Sequence, residues 1–158
     1  MIALAVNLVL ATIWLLLSQT PSPTVFAVGF FLGFALVALF RKVLDGEAYV
    51  RRCLAFLKFL LIFTREFLLA NLKVAGVILF RTREALHPNF LTYEVAGLTR
   101  FEILLLSYCV SLTPGTTTVR ITDDFQTLII HALNAEHPAR IRAGIDRRLK
   151  QPILRFTR

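Results

Sequence analysis

The first forty residues contain no Lys, Arg, Asp or Glu. That gap constrains the chain more than anything else in it. The run "MIALAVNLVLATIWLLLS" is apolar, "QTPSP" interrupts it, and "TVFAVGFFLGFALVALF" is a second apolar run closed by Arg41 and Lys42. At 1.5 Å per residue each run reaches ~25 Å, slightly less than the ~30 Å hydrocarbon core of a bilayer. The pattern predicts a membrane helical hairpin, with transmembrane spans over about 2–18 and 24–40. Local thinning of the bilayer or neighbouring subunits would take up the shortfall. The hydrophobic fraction of 56% and mean hydropathy of +0.68 agree, since a soluble domain is about half apolar or less. A secretory signal peptide, the rival for residues 1–20, needs a positive start and a small-residue cleavage site. Neither is present here.

Charge then orients the hairpin. The 19–24 turn has no Lys or Arg, whereas Arg41, Lys42, Arg51 and Arg52 follow the second run. Basic flanks mark the cytoplasmic side, so both the N-terminus and everything after residue 40 are expected inside. The net charge of +8 fits anionic headgroups at that face. A nucleic-acid binder would carry a basic motif or stripe of a known kind, and none is visible. Gly29 and Gly33 form a GxxxG on the second helix, a spacing that lets another helix approach closely. Cys53 and Cys109 are far apart with no CxxC, which reads as two reduced, packed thiols.

Residues 49–81 read as one long helix. Arg51, Lys58, Arg65 and Lys73 are spaced seven, seven and eight, which places them on one stripe of a 3.6-residue helix. Phe56, Phe63, Phe67 and Val74 fall on the opposite side. Such a helix either lies in the interface with its apolar face down or spans with its charges against a partner. If it spanned, the basic remainder would need another crossing to return. The one candidate, "EILLLSYCVSLT" at 102–113, reaches only ~18 Å. The expectation is two spans plus an interfacial helix over 49–85. Three spans, with the N-terminus outside, is the alternative.

From residue 86 the pattern changes again. "LTYEV" at 91–95 alternates as a strand does. Thr99 and Glu102 match a capping box, predicting a helix over 100–112, which Pro114 and Gly115 end. "TTTVRI" at 116–121 and "QTLIIHAL" at 126–133 form a hairpin around "TDDF". Pro138 sits at a first helical position, and Ile141, Ile145 and Leu149 recur every four residues to about Lys150. The order β-α-β-β-α describes a small α+β cytoplasmic domain of ferredoxin-like character over 86–158.

These residues carry a resemblance. "NLVLATIWLLLS" at 7–18, "FLGF" at 31–34, "REFLLANLKV" at 65–74, "SLTPGTTTV" at 111–119 and "DDFQTLIIHAL" at 123–133 make the chain similar to the E-type subunits (MnhE, MrpE or PhaE) of the Mrp-type multisubunit cation/proton antiporters, over essentially its whole length. The resemblance implies a bacterial cell-membrane complex that exchanges cytoplasmic Na⁺, K⁺ or Li⁺ for external H⁺. It also implies that larger subunits carry the ion path and that the E-type chain is a small member needed for assembly or full activity. Other membrane subunits are then the expected partners.

The residues themselves point the same way. An ion path needs ionisable groups within the bilayer. The first forty residues supply polar groups such as Asn7, Thr12 and Ser18, which cannot relay a proton by titrating. Glu66, beside Arg65, reads as a member of an ion pair. Asp123 and Asp124 point apart and offer too few oxygens for Mg²⁺ or Ca²⁺, so they are expected in a turn. His131 has no metal-ligating neighbour at suitable spacing, although its charge can change near neutral pH. "TPGTTT" lacks the Lys and Gly pattern of a phosphate loop. No enzyme activity, cofactor or metal is expected. The candidate interaction residues are Gly29, Gly33, Arg65, Glu66, Thr113, Pro114, Gly115, Asp123, Asp124 and His131. The alternative function is a self-contained membrane-anchored binding module.

Overall fold

A computed structural model describes residues 2–80 and 86–158. The protein is mostly helical with one three-stranded antiparallel sheet. It divides into two compact units, Met1–Leu54 and Ala55–Arg158.

In the first unit α1 (Ile2–Leu17) and α2 (Pro23–Leu39) pack against each other. Ser22 starts α2: its side chain accepts the Val25 N–H at 3.3 Å, and Pro23 supplies a first-turn residue that needs no N–H partner. The glycines explain the close approach. A methyl at Gly29 would stand 2.8 Å from Trp14 Cβ, and one at Gly33 would run into Asn7 Oδ1. The GxxxG of α2 therefore receives α1 of the same chain. Asn7 is fully buried, and its Nδ2 donates to Tyr49 Oη at 2.8 Å. Among the described residues its Oδ1 has no hydrogen-bond partner. Phe34 meets the Tyr49 ring edge-on at 5.8 Å.

The expected spans thus appear as helices of 16 and 17 residues. Among the described residues no helix is long and apolar enough to cross a membrane. The third helix, α3 (Glu47–Phe80), has the length at 34 residues, but Lys58, Arg65, Glu66 and Lys73 interrupt it. The end of the expected 49–85 segment, residues 81–85, lies outside the described residues.

In the second unit the sheet order is β1-β3-β2, from β1 (Asn89–Glu94), β2 (Thr116–Ile121) and β3 (Thr127–Ala132). Leu91 and Tyr93 of β1 and Leu128 and Ile130 of β3 turn one face into the core, where α4 (Arg100–Leu112) adds Ile103, Leu106 and Val110. The capping box is present as expected: Thr99 Oγ1 accepts the Glu102 N–H, and Glu102 Oε2 accepts the Thr99 N–H. Each edge strand has a backbone group taken by a side chain from elsewhere in the chain. Arg142 Nε donates to Thr92 O at 2.8 Å on β1, and Ser111 Oγ accepts the Thr118 N–H at 3.0 Å on β2. A bulge between Thr118 and Arg120 kinks β2 further.

Two features depart from expectation. The last helix does not stop near Lys150. It runs as α5 (Pro138–Ile145), a π turn (Asp146–Lys150) and α6 (Gln151–Thr157). Pro152 has no N–H and its ring crowds the turn before it. The chain widens there, and the Gln151 N–H reaches Asp146 O, five residues back. The second departure concerns α3. Part of its phenylalanine side, expected to face lipid, packs instead on the chain's own α6: Phe59 is buried with its ring 5.3 Å from Phe156 and 5.9 Å from Phe63, whereas Phe56 and Phe67 remain exposed.

Candidate functional site

The "SLTPG" segment ends α4 and opens onto a cleft. Thr113 caps the helix with its N–H on the carbonyls of Cys109 and Val110. The Thr113 hydroxyl donates to Cys109 O at 2.8 Å, and the Thr116 hydroxyl donates to Val110 O at 3.0 Å. Both threonines thus add a side-chain donor to carbonyls of the last helical turn. Gly115 then reverses the chain at φ +91°, and its carbonyl accepts the Leu133 N–H at 2.8 Å. A methyl on Gly115 would lie 3.6 Å from Val74 Cγ2, so the turn stands against α3.

Beside this turn lies a cleft of about 220 Å³. Its floor is apolar: Val110, Ile141, Ile145 and Leu149. Thr113 and Thr116 form one rim and Gly144 leaves the opposite wall low. Glu66 stands at one end, 14% exposed, with Oε2 2.7 Å from Arg148 Nη1 and Oε1 3.0 Å from Arg65 Nη1. Arg140 lines the cleft as well. Among the described residues no carboxylate lies within ion-pair distance of the Arg140 guanidinium. The widened π turn carries Arg148 and Leu149 into this wall, and such turns recur at functional sites.

Of the candidate residues the structure brings together Glu66, Arg65, Thr113 and, just behind them, Pro114 and Gly115. The others stand elsewhere. Gly29 and Gly33 are buried between α1 and α2. Asp123 pairs with Arg120 at 3.0 Å on the exposed β2–β3 turn. Asp124 Oδ1 accepts the Gln126 N–H, and the Thr122 side chain together with that N–H holds its carboxyl below the usual range. His131 sits on the open face of the sheet with Phe90 edge-on at 5.1 Å. Among the described residues no three His, Cys, Asp or Glu side chains gather as a metal ion would need. Burial pushes the Cys109 thiol up to about 11, so it is held as the inert thiol.

Arg140 and Arg148 had no role on sequence grounds. Glu66 and Arg148 are 82 residues apart, and only the fold joins them. Among the described residues that line the cleft, no hydrogen bond joins a nucleophile to a base. The carboxylate is neutralised by two guanidiniums, the floor is apolar and a further cation, Arg140, sits at one wall. That arrangement suits recognition of another surface.

The family model described as Na⁺/H⁺ ion antiporter subunit (MnhE) matches residues 7–156. The chain belongs to this family. It is 34% identical over 133 residues to the E1 subunit of a Na⁺/H⁺ antiporter of Staphylococcus epidermidis, covering 84% of this chain and 83% of the relative. It is 28% identical over 152 residues to the E subunit of the Na⁺/H⁺ antiporter of Alkalihalophilus pseudofirmus, with 96% of each chain covered. For the corresponding E subunit of Bacillus subtilis the identity is 32% over 130 residues, with 82% of each covered. In fold, this MnhE-family chain resembles one chain of an Mrp complex from Dietzia sp. DQ12-45-1b with a TM-score of 0.51, at 23% identity, over 65% of this chain and 96% of that one.

Proposed function

We propose that this MnhE-family chain is a non-catalytic membrane subunit of a multisubunit Na⁺/H⁺ antiporter, supporting assembly, stability or full activity of the complex. The observation that carries this reading is the family match across residues 7–156. The composition supports the non-catalytic part, because residues 1–40 offer no titratable side chain of Asp, Glu, Lys or Arg for an ion to use.

On this reading α1 and α2 insert in the bacterial cell membrane as a hairpin. Local thinning or adjoining subunits cover their short length. The basic residues that follow place the C-terminal unit on the cytoplasmic side. That unit is best described as a split β-α-β-β arrangement of ferredoxin-like type, in which β1 and β2 both run antiparallel to the central β3. The cleft beside Glu66 is its contact for a neighbouring subunit. A second subunit offering an apolar side chain and a carboxylate would fill the floor and meet Arg140.

The test is purification of the chain from cells that carry the whole set of antiporter subunits. Co-purification of large membrane subunits is expected, and the chain alone in proteoliposomes should move no Na⁺ under a pH gradient. Na⁺ movement by the chain alone, or its isolation as a lone species under mild detergent, overturns the reading.

A further inference from the structure

The side of α3 that faces away from the C-terminal unit has a regular composition. Each helical residue turns about 100° from the last. Phe59, Phe63 and Glu66 therefore share one side, which meets α6 and the π turn. Leu57, Leu61, Leu68, Leu72 and Leu79 fall roughly opposite and are exposed, from 52% at Leu57 to 73% at Leu79. Lys58, Arg65 and Lys73 line one flank between these two sides. Lys58 and Lys73 have no carboxylate within ion-pair distance among the described residues, and Arg65 remains 72% exposed beside Glu66.

Spacing, exposure and charge together say what kind of surface this side fits. The leucine intervals are four, seven, four and seven, an eleven-residue repeat that gives ~3.67 residues per turn. A heptad stripe drifts around the helix by ~20° per repeat, and two right-handed helices follow it by winding into a left-handed supercoil. An eleven-residue stripe drifts the other way and more slowly, by ~20° per repeat, so it stays on one side of the helix over about 33 Å from Leu57 to Leu79. A flat partner can meet it along its whole length. Apolar residues on the outward side, cations along its flank and a folded unit on the opposite side describe a helix lying in the headgroup boundary. From the flank, Lys58 and Lys73 have the reach to place their ammonium groups at phosphate height.

We infer that α3 rests on the bilayer by Leu57, Leu61, Leu68, Leu72 and Leu79, with Lys58 and Lys73 on anionic phospholipid headgroups. The inference rests on the membrane-subunit reading and adds which face meets lipid and which lipid it selects. Phe59 on the opposite side is taken up by α6 and is not free to meet lipid.

The test uses the full chain carrying Cys53→Ala, with the buried Cys109 left in place. Single cysteines at Leu61, Leu68 or Leu72, and at Ile13 on α1 as a reference, receive a nitroxide label. The protein is placed in nanodiscs of phosphatidylcholine with phosphatidylglycerol, or of phosphatidylcholine alone. Access of oxygen and of a water-soluble nickel chelate is then measured. In the phosphatidylglycerol discs all four labels should be rich in oxygen and protected from nickel. Lys58→Gln with Lys73→Gln should remove that protection at Leu61, Leu68 and Leu72 and leave Ile13 unchanged. Nickel access at the three leucines with Ile13 protected overturns the inference and leaves the membrane-subunit reading standing. Protection that appears only when other antiporter subunits are present overturns it in favour of a protein partner. Nickel access at Ile13 as well overturns both. Equal protection in phosphatidylcholine alone overturns the headgroup assignment.

Discussion

Glu102 is a carboxylate only 2% exposed, and three different groups hold it. Arg158 Nε donates to its Oε1 at 3.2 Å, Thr157 Oγ1 donates to the same oxygen at 2.7 Å, and the Thr99 N–H reaches Oε2 at 2.8 Å. The Arg158 guanidinium is the main reason its carboxyl is pulled down to about 2, against the opposing cost of burial. An unfolded Glu titrates near ~4.3. The folded value is the lower one, so the stabilisation is present above about pH 4 and is lost as pH falls toward 2. Glu102→Gln should flatten the melting temperature over that window in detergent, while the wild type drops. Gly115 makes a second residue-scale case. At φ +91° a side chain is strained even though 3.6 Å to Val74 leaves room for a methyl. Gly115→Ala should cost about 1–2 kcal/mol, read as a lower thermal midpoint with the same secondary structure by circular dichroism. Both residues were visible in the sequence, as a capping box and as a Pro-Gly stop. Their partners across the fold were not. Arg158 lies 56 residues from Glu102, and no local pattern links them.

At the scale of elements, the α1–α2 contact depends on two missing side chains. Gly33→Ile would drive a branched group into Asn7 and Leu10. It should separate the helices, break the Asn7–Tyr49 hydrogen bond and lower yield and thermal stability in detergent, with Gly76→Ala on α3 as the tolerated control. No atom lies within 4 Å of a methyl at Gly76, and Ala favours a helix interior by roughly 1 kcal/mol over Gly. The GxxxG spacing was legible, but spacing names no partner, and the partner proved to be the preceding helix. The strands behaved similarly. Alternation located β1, β2 and β3 within two residues of their ends, because burial of one sheet face imposes it. The π turn escaped notice. Its cause, Pro152 set within a continuing helix, reads in sequence as a stop.

Across the whole molecule, much of the basic C-terminal stretch serves as internal fasteners. Arg142 reaches Thr92 O, Arg148 reaches Glu66, Lys150 lies over the Tyr93 ring at 5.5 Å and Arg158 reaches Glu102. The sequence alone assigns this stretch no role, and in the structure it is used residue by residue. Arg140 differs, since it lines the cleft with no carboxylate beside it among the described residues. Arg140→Ala should leave the unfolding free energy of the isolated chain within about 0.5 kcal/mol of wild type, as for a surface site. If the cleft takes a neighbouring subunit, the same change should reduce the amount of large subunit recovered with the tagged chain. Unchanged recovery would remove the cleft from the assembly interface.

The side-chain contacts on the two edge strands bear on biogenesis. Subunits of one complex are seldom synthesised in perfect ratio, so some copies wait for partners. A waiting copy with an open strand would template its own polymerisation. Here Arg142 occupies the Thr92 carbonyl and Ser111 occupies the Thr118 amide, each supplied by the chain itself. Loss of either contact should show first as more inclusion bodies under overexpression, before any fully assembled complex is affected.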